Sequence, residues 1–190
     1  MGLRTVRLRI WGGLIGAALA FGILPAQAAW HGYVNAEAGF SYTAPGTVKA
    51  EKSSYKSASE GERAATIFRS AEDDVEYRVT VVNFFGRKTD EPAIIKEAST
   101  QFQVGKKVLA DSDARVESSY GRKMTVDLPN MGGRAMVAIY FNQGYLIELQ
   151  VTILPANGDY GSPDMGRFVD SIAFGAGRAQ DGATDIKLVR

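Results

Sequence analysis

From residue 29 onward the apolar positions recur mostly with a period of two, the signature of strands, and in two places with a period near that of a helix. Residues 30–35 and 39–43 are short aromatic segments. In the second, Phe40 and Tyr42 alternate with small residues before Pro45-Gly46 turns the chain, which predicts two opening strands. Residues 48–56 and 63–69 predict a hairpin whose polar connection, 57–62, has little to bury and is expected in solvent. Val75, Tyr77, Val79 and Val81 then alternate with Glu76, Arg78 and Thr80, which predicts a strand with one buried and one wet face.

The period changes at Asp90, where Ile94, Ile95, Ala98 and Phe102 fall at helical spacing behind Asp90, Glu91 and Pro92, residues suited to a first turn. This predicts a helix to about Val104. A polar strand follows around 108–117, then another at 122–128 with Met124, Val126 and Leu128 on one side. Residues 134–142 are apolar at both parities, as in a strand covered on both faces inside a sheet. Asn142-Gln143-Gly144 turns the chain into 145–154, where Tyr145, Ile147, Leu149, Val151 and Ile153 share one face and Glu148, Gln150 and Thr152 the other. Ser162 as N-cap, Pro163 and Asp164 begin a second helix whose stripe is Met165, Phe168, Val169 and Ile172, ending before Gly175. Residues 175–190 are small and polar and are expected to form a mobile C-terminal tail, with only Ile186, Leu188 and Val189 able to dock.

Residues 1–28 stand apart. Arg4, Arg7 and Arg9, an apolar run over 10–24, Pro25 and Ala26-Gln27-Ala28 follow the order of a cleaved secretory signal peptide, with cleavage expected after Ala28. The apolar run is shorter than the ~20 residues a membrane-spanning helix needs, so no membrane span is expected after cleavage. Arg7-Leu8-Arg9 is no twin-arginine pair, which favours the general secretory route. Residues 29–174 are expected to form a single globular domain, periplasmic or secreted. Three of the basic residues leave with the leader, so the mature part is slightly acidic and nucleic acid is not an expected partner. The absence of Cys excludes disulfides, thiol nucleophiles and Cys-based metal sites.

Runs of antiparallel strands interrupted by one helix and closed by another predict an α+β fold, an antiparallel β-sheet sandwiched by helices. Gly39-Phe40-Ser41-Tyr42-Thr43-Ala44-Pro45-Gly46 resembles the opening segment of PsbP-like domains. Phe168-Val169-Asp170-Ser171-Ile172-Ala173-Phe174 is similar to their closing helix, and with Tyr77-Arg78-Val79-Thr80-Val81 the resemblance spans about residues 30–174. It implies an α/β/α sandwich, the fold of an extrinsic subunit of photosystem II and of a Ran-binding nuclear-transport factor, used chiefly to bind other proteins. The matching positions are apolar or turn residues, so the resemblance implies no functional residue.

Few residues here carry recognisable chemistry. His31, beside Trp30 and Tyr33, is the only imidazole, and a surface His near a processed terminus is the simpler account of it. Glu72, Asp73 and Asp74, with Glu76 following, are calcium candidates, although their spacing lacks the order of a defined calcium loop and a solvated hairpin tip explains them as well. Met131-Gly132-Gly133-Arg134 has the ingredients of an anion nest, or of a plain hairpin turn. Ser53, Ser54, Ser118 and Ser119 sit in no nucleophile motif, and no cofactor motif occurs. Phe84, Phe85, Tyr140, Phe141 and Tyr145 have the spacing of strand core positions, and exposure of several together would mark a contact patch.

The expected function is therefore that of an exported, non-enzymatic domain binding a protein or a ligand, its partner a periplasmic or envelope protein. Two alternatives stand beside it. One is a periplasmic hydrolase whose site is assembled only in the fold, to be recognised by a pocket holding a carboxylate, His31 or a Lys beside a Ser. The other is a calcium-stabilised module built on Glu72, Asp73 and Asp74.

Overall fold

Most of the described residues are strand, as the alternation requires. A computed structural model describes residues 29–129, 132–155, 160–175 and 186–189. The expected signal peptide therefore lies outside the described residues. In chain order the strands before the first helix are β1 (Trp30–Asn35), β2 (Phe40–Pro45), β3 (Lys49–Ser57), β4 (Gly61–Glu72) and β5 (Val75–Asn83). Helix α1 (Glu91–Gln103) is followed by β6 (Lys107–Val116), β7 (Ser119–Leu128), β8 (Gly133–Asn142) and β9 (Tyr145–Ile153). Helix α2 (Pro163–Val169), β10 (Ala173–Phe174) and β11 (Ile186–Leu188) complete the described elements.

Seven strands form one antiparallel sheet in the order β3-β4-β5-β9-β8-β7-β6. On one face lies α1, which touches β7 and β8. On the other lie α2 and a small sheet ordered β10-β2-β1-β11. The architecture is thus the expected α+β sandwich, with a second sheet beside the closing helix. That second sheet exists because β2 is buried along its whole length. Phe40 and Tyr42 face a core with Phe68, Tyr77, Leu149 and Phe168, while Thr43 meets Ser171 through a backbone N–H bond to Oγ of 3.0 Å.

The faces of the large sheet follow from strand parity. Tyr77, Val79 and Val81 on β5 and Tyr145, Ile147, Leu149, Val151 and Ile153 on β9 pack towards α2. Val82, Leu146, Val137, Ile139 and Met124 pack towards α1 with Ile94 and Ala98. β8 carries buried apolar residues at both parities because both faces are covered. Its hairpin with β9 turns through Gln143 and Gly144, both at positive φ, which matches the twist of the paired strands.

Both helices start as their caps require. The Asp90 carboxylate accepts from Ala93 N ahead of α1, and Ser162 Oγ accepts from Asp164 N ahead of α2. Helix α2 stops at Val169, earlier than its periodicity predicts. Ser171 Oγ donates to Phe168 O and Thr43 O, and the chain then pairs with β2 as β10. Ile172 is buried all the same, from an extended segment. The expected tail needs a correction at its end: residues 186–188 add to β1 in parallel, and Val189 N donates to Val34 O at 2.9 Å. Residues 176–185 and 190 of that tail lie outside the described residues.

Candidate functional site

The face of the large sheet towards α1 is divided. Under the helix, on β7 and β8, it is apolar, whereas on β5 and β9 it presents facing polar pairs set by the register: Glu76 with Thr152, Arg78 with Gln150, and Thr80 with Glu148. Strand β9 lies inside the sheet, so these polar side chains cannot all reach bulk water. All but Thr80 line a groove of about 550 Å³ along the side of α1, with Tyr55 of β3, Phe102 of α1 and Lys106 contributing to its walls. A second cavity of about 370 Å³ adjoins it, sharing Glu76, Arg78, Gln150 and Thr152 and adding Lys49 and Arg69.

Within the groove the Arg78 guanidinium donates through Nη2 to Gln150 Oε1, and Gln150 Nε2 donates to Thr152 Oγ1 at 3.1 Å. Arg78 Nε and the Tyr55 hydroxyl are buried without a hydrogen-bond partner. Leaving a buried donor unpaired typically costs about 1–3 kcal/mol, so these atoms mark a place where the fold has not been optimised for its own stability. Lys106 lies 4.3 Å above the Phe102 ring and donates to Phe102 O. Glu148, partly buried between these cations, makes no hydrogen bond or ion pair with any described residue.

Electrostatics in the groove follow from burial. Desolvation pushes the Glu148 carboxyl up to about 7 against the pull of Arg78 and Lys106, so it exchanges its proton near neutral pH. Burial also lowers Arg78 and Lys106, and for Lys106 the neighbouring Arg78 charge adds to the effect. The Tyr55 hydroxyl is pushed up by burial, with Glu148 and Glu97 adding to it. The arrangement offers two cationic donors, a neutral hydroxyl and a carboxyl poised between acceptor and donor. That is the equipment of a binding site for a polar, anionic group.

The hairpin joining β3 to β4 is mostly exposed, as expected, and is also tied to α1. Glu97 accepts from Ala58 N at 2.6 Å, Ser59 N at 3.3 Å, Ser57 Oγ at 3.2 Å and Ser59 Oγ at 3.0 Å. Ser57 is buried as a result. Burial alone would raise the Glu97 carboxyl, but these hydrogen bonds outweigh it and hold the group below the usual carboxylate range. A carboxylate so well supplied with donors is a poor base for the serines it touches. Its structural consequence is to hold β3, and with it Tyr55, beside the groove.

The candidates singled out by sequence lie elsewhere. His31 is partly buried on β1 with its ring edge-on to Tyr33, 6.4 Å between centroids. Glu72, Asp73 and Asp74 occupy the turn between β4 and β5, where Asp73 takes positive φ and Asp74 O accepts from Leu154 N at 2.9 Å. Among the described residues no three acids or histidines converge as metal ligands. Of the proposed nest, Met131 lies outside the described residues, Gly132 N donates to Leu128 O, and Arg134 pairs with Asp127 at 3.1 Å. Neither serine nor histidine lines the larger groove, and Ser70, at the smaller cavity, has an unpartnered hydroxyl. Of the five aromatics, Phe84, Tyr140, Phe141 and Tyr145 are buried, while Phe85 is 72% exposed and stacks on Tyr145.

Sequence reasoning missed Glu148, Arg78 and Lys106. Glu148 and Arg78 read as wet positions of alternating strands, and only the register, which sets β9 between β5 and β8, makes that face an enclosed one.

No family model and no curated protein matches the chain. A structural likeness does appear: the solution structure of cyanobacterial PsbP from Synechocystis superposes with a TM-score of 0.51 at 13% sequence identity, covering 85% of this chain and 99% of that chain. The chain has the PsbP-like fold. At this identity the likeness concerns architecture alone.

Proposed function

We propose that the chain is an exported, non-enzymatic binding domain of the periplasm or cell exterior, and that the groove beside α1 is where it binds. The export signal read in residues 1–28 supports the location. The observation that carries the binding role is the groove itself: Arg78, Lys106 and Glu148 line one cavity with donor capacity left over on Arg78, beside the apolar core under α1. Residual capacity of this kind serves a ligand that arrives from solution. Neither serine nor histidine lines the groove itself, while Ser70, Lys49 and Glu76, the kind of set the hydrolase alternative calls for, line the adjoining cavity.

The test is a thermal-shift comparison of the wild-type chain with Arg78→Met in a small-molecule extract of the source cells, filtered free of protein. A rise in the wild-type midpoint that Arg78→Met lacks supports binding in the groove, because a ligand selective for the native state must raise the midpoint. No rise, or an equal rise in both proteins, refutes it. Export is tested separately, by the N-terminal sequence of the chain recovered outside the cytoplasm, expected to start at Ala29.

A second reading, docking of an envelope protein, is favoured by exposed apolar residues at and near the β6–β7 edge. Val104 is 72% exposed and Tyr120 66%, with Val108 and Leu109 also open. An edge strand carrying such residues is suited to contact with another chain. Crosslinking from residue 120 to a single envelope protein, abolished by Val108→Lys with Leu109→Lys, would establish it.

A further inference from the structure

The chemistry of the groove narrows its ligand, if the binding role proposed above holds. Arg78 uses one guanidinium nitrogen on Gln150 and leaves Nε without a partner; Tyr55 leaves its hydroxyl without one. The charged groups lining the groove are Arg78 and Glu76 from β5, Glu148 from β9 and Lys106 from the turn after α1. Within the groove's own lining the two cations and two carboxylates balance with Glu148 ionised and leave one surplus positive charge with Glu148 protonated, and Lys49 and Arg69 of the adjoining cavity add to the positive side. A single anionic group therefore fits the protonated groove. A phosphate dianion overshoots that charge and would have to lie against Glu148 and Glu76. Phe102, Leu128 and Leu154 supply apolar wall along the same cavity, giving a hydrocarbon body somewhere to pack.

The geometry points to a monocarboxylate with a short apolar body as the ligand, its carboxylate held by Arg78 and Lys106 and its chain lying along Phe102, Leu128 and Leu154. An arginine fork is suited to a planar carboxylate, and the lysine adds a second charge. The anion would rest near Glu148, and two carboxylates at close range cannot both stay ionised cheaply, so binding takes up a proton there. Because the free Glu148 carboxyl already sits near 7, affinity falls as pH rises through neutrality. Tyr55, whose hydroxyl burial pushes up, stays neutral across that range.

The experiment is isothermal titration of the purified full chain with hexanoate, hexanamide and inorganic phosphate, near pH 6 and near pH 8. Hexanoate is ionised at both values. The expected result is saturable hexanoate binding, at least about tenfold tighter than hexanamide or phosphate, and weaker at the higher pH. Arg78→Met and, as a second variant against misfolding, Lys106→Met are each expected to lose about tenfold, with circular dichroism unchanged. Glu148→Gln is expected to bind hexanoate with no pH dependence between the two values. Equal binding of hexanamide, undiminished binding by both cation variants, or no saturable hexanoate binding overturns the inference. The two levels of the account separate cleanly. A cell extract that shifts the wild type but not Arg78→Met, while hexanoate does not bind, refutes the carboxylate and leaves the binding role standing. An extract without effect, together with no saturable hexanoate binding, refutes both.

Discussion

Arg78 and Gln150 face each other across β5 and β9, and the guanidinium of the first donates to the amide oxygen of the second. This pair, with Glu148 and Thr152 on the same strand face, places a polar floor in the middle of the sheet, beside the apolar Val137, Ile139 and Phe141 of β8 on that side. Groups of this sort weaken a core unless something else uses them.

The Glu148 carboxyl gives the fold a definite pH signature. Its folded value, near 7, lies above the value of an unfolded glutamate, so the native state binds the proton more tightly. The stability this contributes is complete below the unfolded value and is lost as pH rises through about 7. Glu148→Gln is expected to leave the melting temperature near pH 5 almost unchanged and to raise it by several degrees near pH 8. Melting curves of both proteins across that range check the sign.

Glu97 acts in the opposite sense. Its carboxyl is held low by hydrogen bonds from Ala58, Ser59 and Ser57, so the stability it contributes is present above the unfolded value and lost as pH falls below it. Glu97→Ala is expected to cost about 1–2 kcal/mol at neutral pH and to speed amide exchange at residues 58 and 59. Denaturant titration with hydrogen exchange measures both.

Phe168 is fully buried, with its ring edge-on to Tyr77 at 5.2 Å and to Tyr42 at 6.3 Å, and so joins α2 to both sheets. Truncation to Ala removes contacts on three sides. Phe168→Ala is expected to destabilise the chain by about 3–5 kcal/mol in chemical denaturation.

Much of this was legible in the sequence. Asp90 and Ser162 announced the helix starts because a capping side chain acts on the N–H groups two or three residues ahead. Tyr77, Val79 and Val81 showed their buried face by alternation, whereas β2, buried at every position, did not. The small sheet was less legible, since β10 and β11 are two and three residues long and carry no period. The end of α2 was hidden for a different reason: Ser171 and Thr43 meet across 128 residues of sequence. The groove escaped for the same reason, because Arg78 and Gln150 are 72 residues apart and become neighbours only once β9 inserts between β5 and β8.

Calcium affords a further check. Glu72, Asp73 and Asp74 do not converge with another acid or histidine into a metal-holding group among the described residues. Millimolar Ca²⁺ is accordingly expected to leave the melting temperature unchanged in a thermal scan, whereas a rise would establish a site at that turn.

Nuclear magnetic resonance during hexanoate addition shows whether ligands enter the groove floored by Arg78 and Gln150. Saturable shifts are expected at the Arg78 Nε–H and the Gln150 side-chain amide, together with a rise in the Glu148 titration midpoint, while the β6–β7 hairpin stays unchanged. Shifts confined to that hairpin, or none anywhere at millimolar hexanoate, would contradict entry there.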